Sequence, residues 1–267
     1  MGRFTTSLLD KAQSSERMTR IPILMYHSID SSNSVVSISA ETFAHHLKVL
    51  DDLRIEVISL ASAIDALKSR SNIERKAVLT FDDGFENFYN EAFPILSRTK
   101  TPATVFLVSD YCGKQNDWPG QSDSVPVLKL MNWSQISELS KAGIEFAAHS
   151  RTHPDLTSID SQKAEMEILG SRDLIQEKTG SSVRFFAYPY GTSTPEIRQL
   201  TAKHFNAALG TELGETTIQD DLYNLKRIDI YYLSGSLQLL GNSFSLRSYL
   251  SIRNFGRKVR QTFMVAN

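Results

Sequence analysis

The chain alternates short apolar runs with longer segments of helical periodicity. Several of the apolar runs are continuous rather than alternating, which is typical of parallel strands covered on both faces. Eight runs are predicted strands: 21–27, 55–60, 77–83, 103–109, 144–150, 183–190, 206–210 and 224–230.

The segments between these runs are predicted helices. Apolar residues recur there at helical spacing, as at Phe43, Leu47 and Leu50, and again at Ala164, Ile168 and Ile175. The second of these helices is expected to end before Gly180. Alternation of strand and helix favours parallel βα units, and so many units in one domain favour a barrel over an open doubly wound sheet.

Composition limits the chemistry that the chain can perform. The sequence is 41% hydrophobic and has 29 basic and 30 acidic residues, so its net charge is −1. This balance gives no overall attraction to nucleic acid. Cys112 is the single cysteine of the sequence, which excludes an internal disulfide and cysteine-rich metal sites. Reactive groups must therefore come from histidine, aspartate, glutamate, tyrosine and arginine.

The two ends of the sequence differ in character. Residues 1–19 have no apolar central region, so we read them as an N-terminal extension and predict a cytoplasmic protein. No acidic residue follows Asp229, whereas basic residues accumulate among apolar ones at Arg247, Arg253, Arg257, Lys258 and Arg260. Residues 236–267 are thus predicted to form a helix and basic tail. A solvated helix face explains the pattern, and peripheral contact with an anionic membrane is the functional alternative.

Polar residues follow several of the predicted strands directly. Asp82 and Asp83 end one strand, His149 and His153 follow another, and His27 ends the first. In α/β folds catalytic groups lie at the carboxyl ends of parallel strands, so these side chains are expected on one face.

Two of these groups together predict a metal site. A turn needs one aspartate, and a nearby cation would keep two adjacent carboxylates ionised. His149 and His153 are held by a loop rather than a helix, because Pro154 disfavours helical backbone at His153. An aspartate, two histidines and water make an open tetrahedral site of the catalytic type.

At these residues the chain resembles the polysaccharide deacetylase family, carbohydrate esterase family 4, also called the NodB-homology domain. The resemblance covers roughly residues 20–230, and we assign residues 20–235 to this domain. The order of three sequence motifs and the lengths between them agree with those of the family. The motifs that carry it are Thr80-Phe81-Asp82-Asp83-Gly84, His149-Ser150-Arg151-Thr152-His153-Pro154 and Phe186-Ala187-Tyr188-Pro189-Tyr190-Gly191.

The resemblance implies a distorted (β/α)7 barrel, a divalent metal that is commonly zinc, and hydrolysis of acetyl groups on sugars. It implies that Asp83, His149 and His153 bind the metal and that Asp82 is the general base. The backbone N–H of Tyr190 would then stabilise the oxyanion.

The sequence departs from the family pattern at two positions. The closing Leu-x-His motif that supplies the acid is missing, because no histidine follows His204. His27 is the better replacement, and its Tyr-His pair is similar to the poly-N-acetylglucosamine deacetylase branch; a packed histidine is the alternative. Ala187 stands where many members have an arginine that pairs with the base. Arg227 either takes that place or is a surface arginine, and the sequence leaves both open.

Aromatic residues are candidates for contact with the sugar. Trp118, in the 116–120 loop, is expected to be exposed and to stack on a sugar ring, and Tyr188 is a second candidate. The predicted function is metal-dependent removal of N-acetyl groups from an oligosaccharide, glycolipid or lipid-linked sugar. An O-acetyl esterase, an N-deformylase and a catalytically silent carbohydrate-binding barrel are the alternatives.

Overall fold

The structure, a computed structural model, describes residues 20–265, with side chains for residues 20–254. The predicted extension over residues 1–19 lies outside this range. The strands are β1 (Arg20–Ile21), β2 (Ile23–Tyr26), β3 (Ser28–Ile29), β4 (Ser37–Ile38), β5 (Glu56–Val57), β6 (Lys76–Phe81), β7 (Thr104–Leu107), β8 (Glu145–Ala148), β9 (Phe185–Ala187), β10 (Ala207–Leu213), β11 (Thr216–Thr217) and β12 (Leu225–Asp229).

Helices separate most of these strands. They are α1 (Ala40–Asp52), α2 (Leu60–Ser69), α3 (Phe93–Thr99), α4 (Trp133–Lys141), α5 (Ser161–Thr179), α6 (Pro195–Ala202), α7 (Ile230–Leu233) and α8 (Ser243–Val265). The helix predicted to end before Gly180 is α5, and Gly180 follows it in the left-handed conformation with a φ of 69°. Glycine adopts this conformation without steric cost, which explains the end of the helix.

Seven parallel strands close into a barrel. The order around it is β2, β12, β10, β9, β8, β7 and β6, and β6 pairs back with β2. Residues Ile23 to Tyr26 pair there with Val78 to Phe81. This closure excludes the open sheet and confirms the predicted (β/α)7 barrel.

One of the eight predicted strands, 55–60, is not a barrel strand, and that prediction is wrong. Only β5 forms, and it pairs with β6 outside the ring. Ser59 instead caps α2 by accepting a hydrogen bond from the Ser62 backbone N–H. Leu60, Ile64 and Leu67 share the buried face of that helix, so helical burial takes residues that the apolar run assigned to a strand.

The barrel interior is filled from its amino-terminal end. The buried face of α2 belongs to the same apolar cluster as the inward-facing side chains of Ile23, Val78, Phe106 and Leu225. A second cluster lies between the strands and the outer helices. Because one end is closed by apolar packing, polar groups inside the barrel collect at the carboxyl ends of the strands.

The C-terminal helix α8 is attached to the barrel along its first turns. Leu246 and Leu250 are buried in the outer cluster. The Tyr249 hydroxyl donates to Tyr232 O at 2.6 Å, and Asn254 Nδ2 donates to Leu213 O at 2.9 Å. Among the described residues, none of the helices is both long and apolar enough to cross a membrane.

Candidate active site at the barrel mouth

Three side chains converge where β6 and β8 end. One ligand atom each from Asp83, His149 and His153 lies within 4.8 Å of the others, and all three residues are buried. Asp83 Oδ1 is 3.5 Å from His149 Nε2 and 3.6 Å from His153 Nε2. The three residues predicted from the sequence as metal ligands therefore face one another.

Hydrogen bonding and charge in this cluster fit a divalent cation. His149 Nδ1 lies 2.7 Å from Ala187 O, and a carbonyl oxygen can only accept, so Nδ1 carries the proton and Nε2 is a free ligand atom. His153 Nδ1 is buried without a hydrogen-bond partner among the described residues. Burial lowers the pKa of His153 well below its usual range, which keeps it neutral as a ligand must be. Burial also raises the pKa of Asp83, against the influence of His27 and His149, and a cation would reverse that shift.

Asp82 makes a bidentate ion pair with Arg227 inside the barrel. Arg227 Nη1 and Nη2 donate to the two carboxylate oxygens, each at 2.7 Å, and Nε donates to Gly210 O at 2.9 Å. Burial alone would raise the pKa of Asp82, but the Arg227 guanidinium, together with His149 and His27, outweighs it and lowers the pKa to about 2. Of the two possibilities left open for Arg227, the structure gives the pairing with Asp82 rather than a surface position.

The backbone is strained around these side chains. Asp83, Ser150, His153 and Tyr190 have φ angles of 71°, 65°, 61° and 57°. Non-glycine residues rarely adopt positive φ, and such residues cluster at functional sites where the surroundings hold them. Ser150 Oγ accepts the His153 backbone N–H at 2.9 Å, so the loop that carries both histidines is closed by its own side chain.

Two further predicted residues lie at the same mouth. Tyr190 follows β9, and its half-exposed ring contacts His153 edge to face at 4.7 Å between centroids. His27 follows β2, is half-buried, and is close enough for its charge to act on the carboxyl groups of Asp82 and Asp83. The structure therefore brings both to the site.

Trp118 is not the exposed aromatic that the sequence predicted. Its side chain is buried, with its ring 4.5 Å from that of His153 and 5.5 Å from that of Tyr111. Asn116 explains this position, because its buried side chain bonds the backbone of Pro126 and Leu128 and folds the loop inward. Trp118 thus packs on a predicted ligand instead of presenting a free face to a sugar.

Tyr188 is also unavailable for sugar contact. Its side chain is fully buried against Phe186, and its hydroxyl donates to Tyr223 O at 2.9 Å. The alternation of β9 explains the error, because Ala187 faces the barrel interior while Tyr188 faces the outer helices.

Sequence reasoning missed residues that position the predicted ones. Thr80 lies beside Arg227 Nη1 at 3.5 Å and donates to Leu24 O. Glu167, on α5, accepts hydrogen bonds from the loop between His149 and His153. Thr80 stands in a motif and could have been considered, whereas Glu167 carries no signal in the sequence.

The sequence matches a family model and several curated proteins. A family model described as polysaccharide deacetylase matches residues 69–207. The putative polysaccharide deacetylase YxkH of Bacillus subtilis is 26% identical over 217 residues, which cover 80% of this chain and 73% of that protein. A poly-beta-1,6-N-acetyl-D-glucosamine N-deacetylase of Staphylococcus aureus is 26% identical over 164 residues, 58% of this chain and 54% of the relative, so the match spans about half of that protein.

Solved structures share the fold. The deacetylase PplD of Streptococcus pyogenes, solved in complex with acetate, superposes with a TM-score of 0.69 at 25% identity, over 79% of this chain and 92% of that one. IcaB from Ammonifex degensii superposes with a TM-score of 0.67 at 22% identity, over 82% and 97% of the two chains. With the family model covering more than half of its length, this chain belongs to the polysaccharide deacetylase family.

Proposed function

We propose that the protein is a metal-dependent hydrolase that removes N-acetyl groups from a carbohydrate. The observation that carries the proposal is the pairing of two adjacent carboxylates with different partners. Asp83 faces His149 and His153, whereas Asp82 faces Arg227. The Asp83 carboxylate is thus available to bind a cation, and the Asp82 carboxylate is available to accept a proton. The N-acetyl group is proposed because curated relatives are named as N-deacetylases.

The residues at the barrel mouth have separate roles in the proposed reaction. Asp83, His149 and His153 would hold a divalent ion, for which zinc is our proposal from the nitrogen and oxygen ligands. A carboxylate with a pKa of about 2 is a weak base, and a bound cation would supply the acidity that lets Asp82 take a proton from water. Arg227 holds Asp82 ionised and oriented to receive that proton. The Tyr190 backbone N–H would donate to the oxygen of the tetrahedral intermediate.

Asp82→Asn tests the proposed general base. We expect acetate release from acetylated oligosaccharides to fall by on the order of 10²–10⁴-fold, since that is the usual contribution of a general base. Metal content should stay at the wild-type level, because Asp83 and both histidines remain. Asp123→Asn, at an exposed loop position, is the matched control.

Folding must be checked in the same experiment, because Asp82→Asn leaves the Arg227 guanidinium buried opposite a neutral amide. The double variant Asp82→Asn with Arg227→Met removes both charges and should be equally inactive. Undiminished acetate release by either variant would contradict the mechanism. A wild-type chain that releases neither acetate nor formate from any sugar, with any added metal, is the silent binding barrel.

His27→Ala separates amide from ester hydrolysis. We propose His27 as the acid that protonates the leaving group, because it lies at the mouth and no histidine follows His204. An amine needs that proton more than an alkoxide does, so the rate should fall more on N-acetyl substrates than on activated acetyl esters. His45→Ala, exposed on α1, is the control. Equal loss on both substrates would argue against His27 as the acid.

We also propose that α8 contacts an anionic membrane surface. Phe244 and Ile252 are 74% and 72% exposed on this helix, although both are large and apolar. The sequence of α8 holds five basic residues and no acidic one: Arg247, Arg253, Arg257, Lys258 and Arg260. Exposed apolar groups on a basic helix fit a surface that is both anionic and apolar. The cytoplasmic location stays a prediction.

Vesicle sedimentation tests this contact. The full chain should bind vesicles that contain phosphatidylglycerol, bind pure phosphatidylcholine weakly, and dissociate as salt is raised. Phe244→Ser with Ile252→Ser should abolish binding, whereas Val127→Ser, at another exposed apolar position, should not. Binding that salt does not weaken, or that the double variant retains, would overturn the proposal.

A further inference from the structure

One side chain of α5 holds the loop that carries both histidine ligands. Glu167 Oε2 accepts the backbone N–H groups of Arg151 and Thr152, each at 2.8 Å, and Oε1 accepts the Thr152 hydroxyl at 2.7 Å. These two residues lie between His149 and His153 in the chain. A single carboxylate therefore satisfies three donors of the loop at once.

These bonds act where the backbone is strained. Ser150 and His153 have positive φ angles of 65° and 61°, and the two amides that Glu167 accepts lie between them. Each such residue is energetically costly and persists only where its surroundings hold it. Hydrogen bonds to a charged acceptor are stronger than those between neutral groups. Glu167 can thus offset the strain that directs both imidazoles toward Asp83.

The same helix contacts the loop a second time, one turn later. Gly170 lies beneath Arg151, and a Cβ there would be 2.6 Å from Arg151 Cδ. The Arg151 guanidinium crosses this space to Asp110, with its two bonds at 2.8 and 3.1 Å. On the other side, the backbone N–H groups of Ser109 and Asp110 donate to the carbonyls of Ser150 and Arg151. Both sides of the loop are fixed, and Glu167 supplies the charged contact.

We propose that Glu167 is a positioning residue that sets the affinity of the Asp83, His149 and His153 cluster for a divalent metal. Its carboxylate contacts the loop backbone and acts through it on the two histidines, not as a ligand itself. The inference rests on the proposed function, because it presumes that these three residues bind metal. It adds a residue of α5 to the determinants of the site.

The test is the dissociation constant of the purified full chain for Zn²⁺ and Co²⁺, measured by competition with a chromophoric chelator. Glu167→Ala should weaken binding by roughly 10–100-fold, the usual effect of losing a group that orients metal ligands. It should also change the visible absorption spectrum of bound Co²⁺, which reports ligand geometry. Glu167→Gln keeps an oxygen that can accept both amides, so it should restore most of the affinity.

Two controls separate positioning from general stability. Glu165→Ala removes an exposed glutamate of the same helix and should leave the metal affinity within about twofold. Ile175→Val removes a buried methyl group from α5 and should lower the midpoint of urea unfolding without changing the metal affinity.

The outcomes distinguish this inference from the function on which it rests. If the wild type binds metal and Glu167→Ala binds it equally well, only the role of Glu167 is overturned. The same holds if Ile175→Val weakens binding as much as Glu167→Ala, because the effect would then follow stability. A wild-type chain that binds no divalent metal overturns the inference and the proposed function together.

Discussion

Asp82 and Asp83 are neighbours in the chain, yet their carboxyl groups meet different surroundings. Successive residues at the end of a strand point in opposite directions, and the positive φ at Asp83 turns its side chain toward the histidines. Asp82 continues the inward face of β6 and meets Arg227. The barrel mouth thereby keeps one carboxylate ionised by an arginine, while the other faces two histidines and is available to the proposed cation.

The buried side chain of His46 should make folding stability depend on pH. It is buried on α1, where Nε2 lies 3.2 Å from Ser234 O and must donate, so Nδ1 accepts from the Tyr26 hydroxyl at 3.3 Å. Burial lowers its pKa from 6.5 to about 4. The unfolded chain therefore binds a proton at a pH where the folded chain does not. Stability from this group is complete above pH 6.5 and is lost as the pH falls toward 4.

His46→Gln should remove this part of the pH dependence. We expect the wild type to lose on the order of 3 kcal/mol of unfolding free energy through His46 over that range, and the variant to lack that loss. Urea unfolding at several pH values measures it. His45→Gln, the exposed neighbour on α1, should keep the wild-type slope. Parallel pH profiles for wild type and His46→Gln would contradict the assignment.

Local residue spacing predicted the ligand cluster, but it could not predict the aromatic contacts. Asp82, Asp83 and His149 follow apolar runs directly, so the ends of parallel strands bring them to one mouth, and the loop after β8 adds His153. Trp118 lies in a long excursion between β7 and α4, and its position depends on Asn116 and on distant packing partners. Burial of a loop aromatic is a tertiary property, and the spacing of residues does not encode it.

The turn after β9 depends on glycine. Gly191 has a φ of 73°, and a Cβ there would lie 2.1 Å from Thr211 Oγ1 of β10. The turn carries Tyr190, so the backbone that offers the proposed oxyanion donor packs directly on the next strand. The turn has no room for any larger residue at this position.

Gly191→Ala should therefore destabilise the protein more than a comparable glycine substitution elsewhere. Gly180 has a similar φ of 69° and nothing within 4 Å of its Cβ position. Gly180→Ala should cost roughly 1–2 kcal/mol, from the left-handed backbone alone. Gly191→Ala should cost about 1–3 kcal/mol more, because the methyl group must displace Thr211. Equal unfolding free energies for the two variants would show that β10 yields without cost.

Elements whose burial is set by local periodicity were the predictable part of the fold. The periodicity at Phe43, Leu47 and Leu50 identifies α1, because one face of that helix packs on the barrel. The prediction of a strand over residues 55–60 failed because Ser59 caps a helix in the middle of an apolar stretch. Residues 55–60 could either pair as a strand or supply a helix cap. The ring of seven strands is already closed without β5, so it offers no further place for a barrel strand.

The barrel mouth links the proposed metal site to the stability of the whole domain. The proposed ligands come from the ends of β6 and β8, which flank β7 in the ring. His149 is bonded in turn to Ala187 O of β9. A cation at the cluster would therefore join strands that are far apart in the sequence. Because the unfolded chain lacks this arrangement, metal binding should add to the free energy of unfolding.

Thermal unfolding with and without zinc measures this linkage. At a free zinc concentration about 100 times the dissociation constant, binding should add about 2.7 kcal/mol. For a chain of this size that corresponds to a rise in Tm of roughly 5–10 °C, which a chelator should reverse. Asp83→Asn is the matched variant, because asparagine tolerates the left-handed backbone that Asp83 adopts while it removes the anionic ligand. Its Tm should barely respond to zinc, whereas an equal rise in both proteins would place the ion elsewhere on the chain.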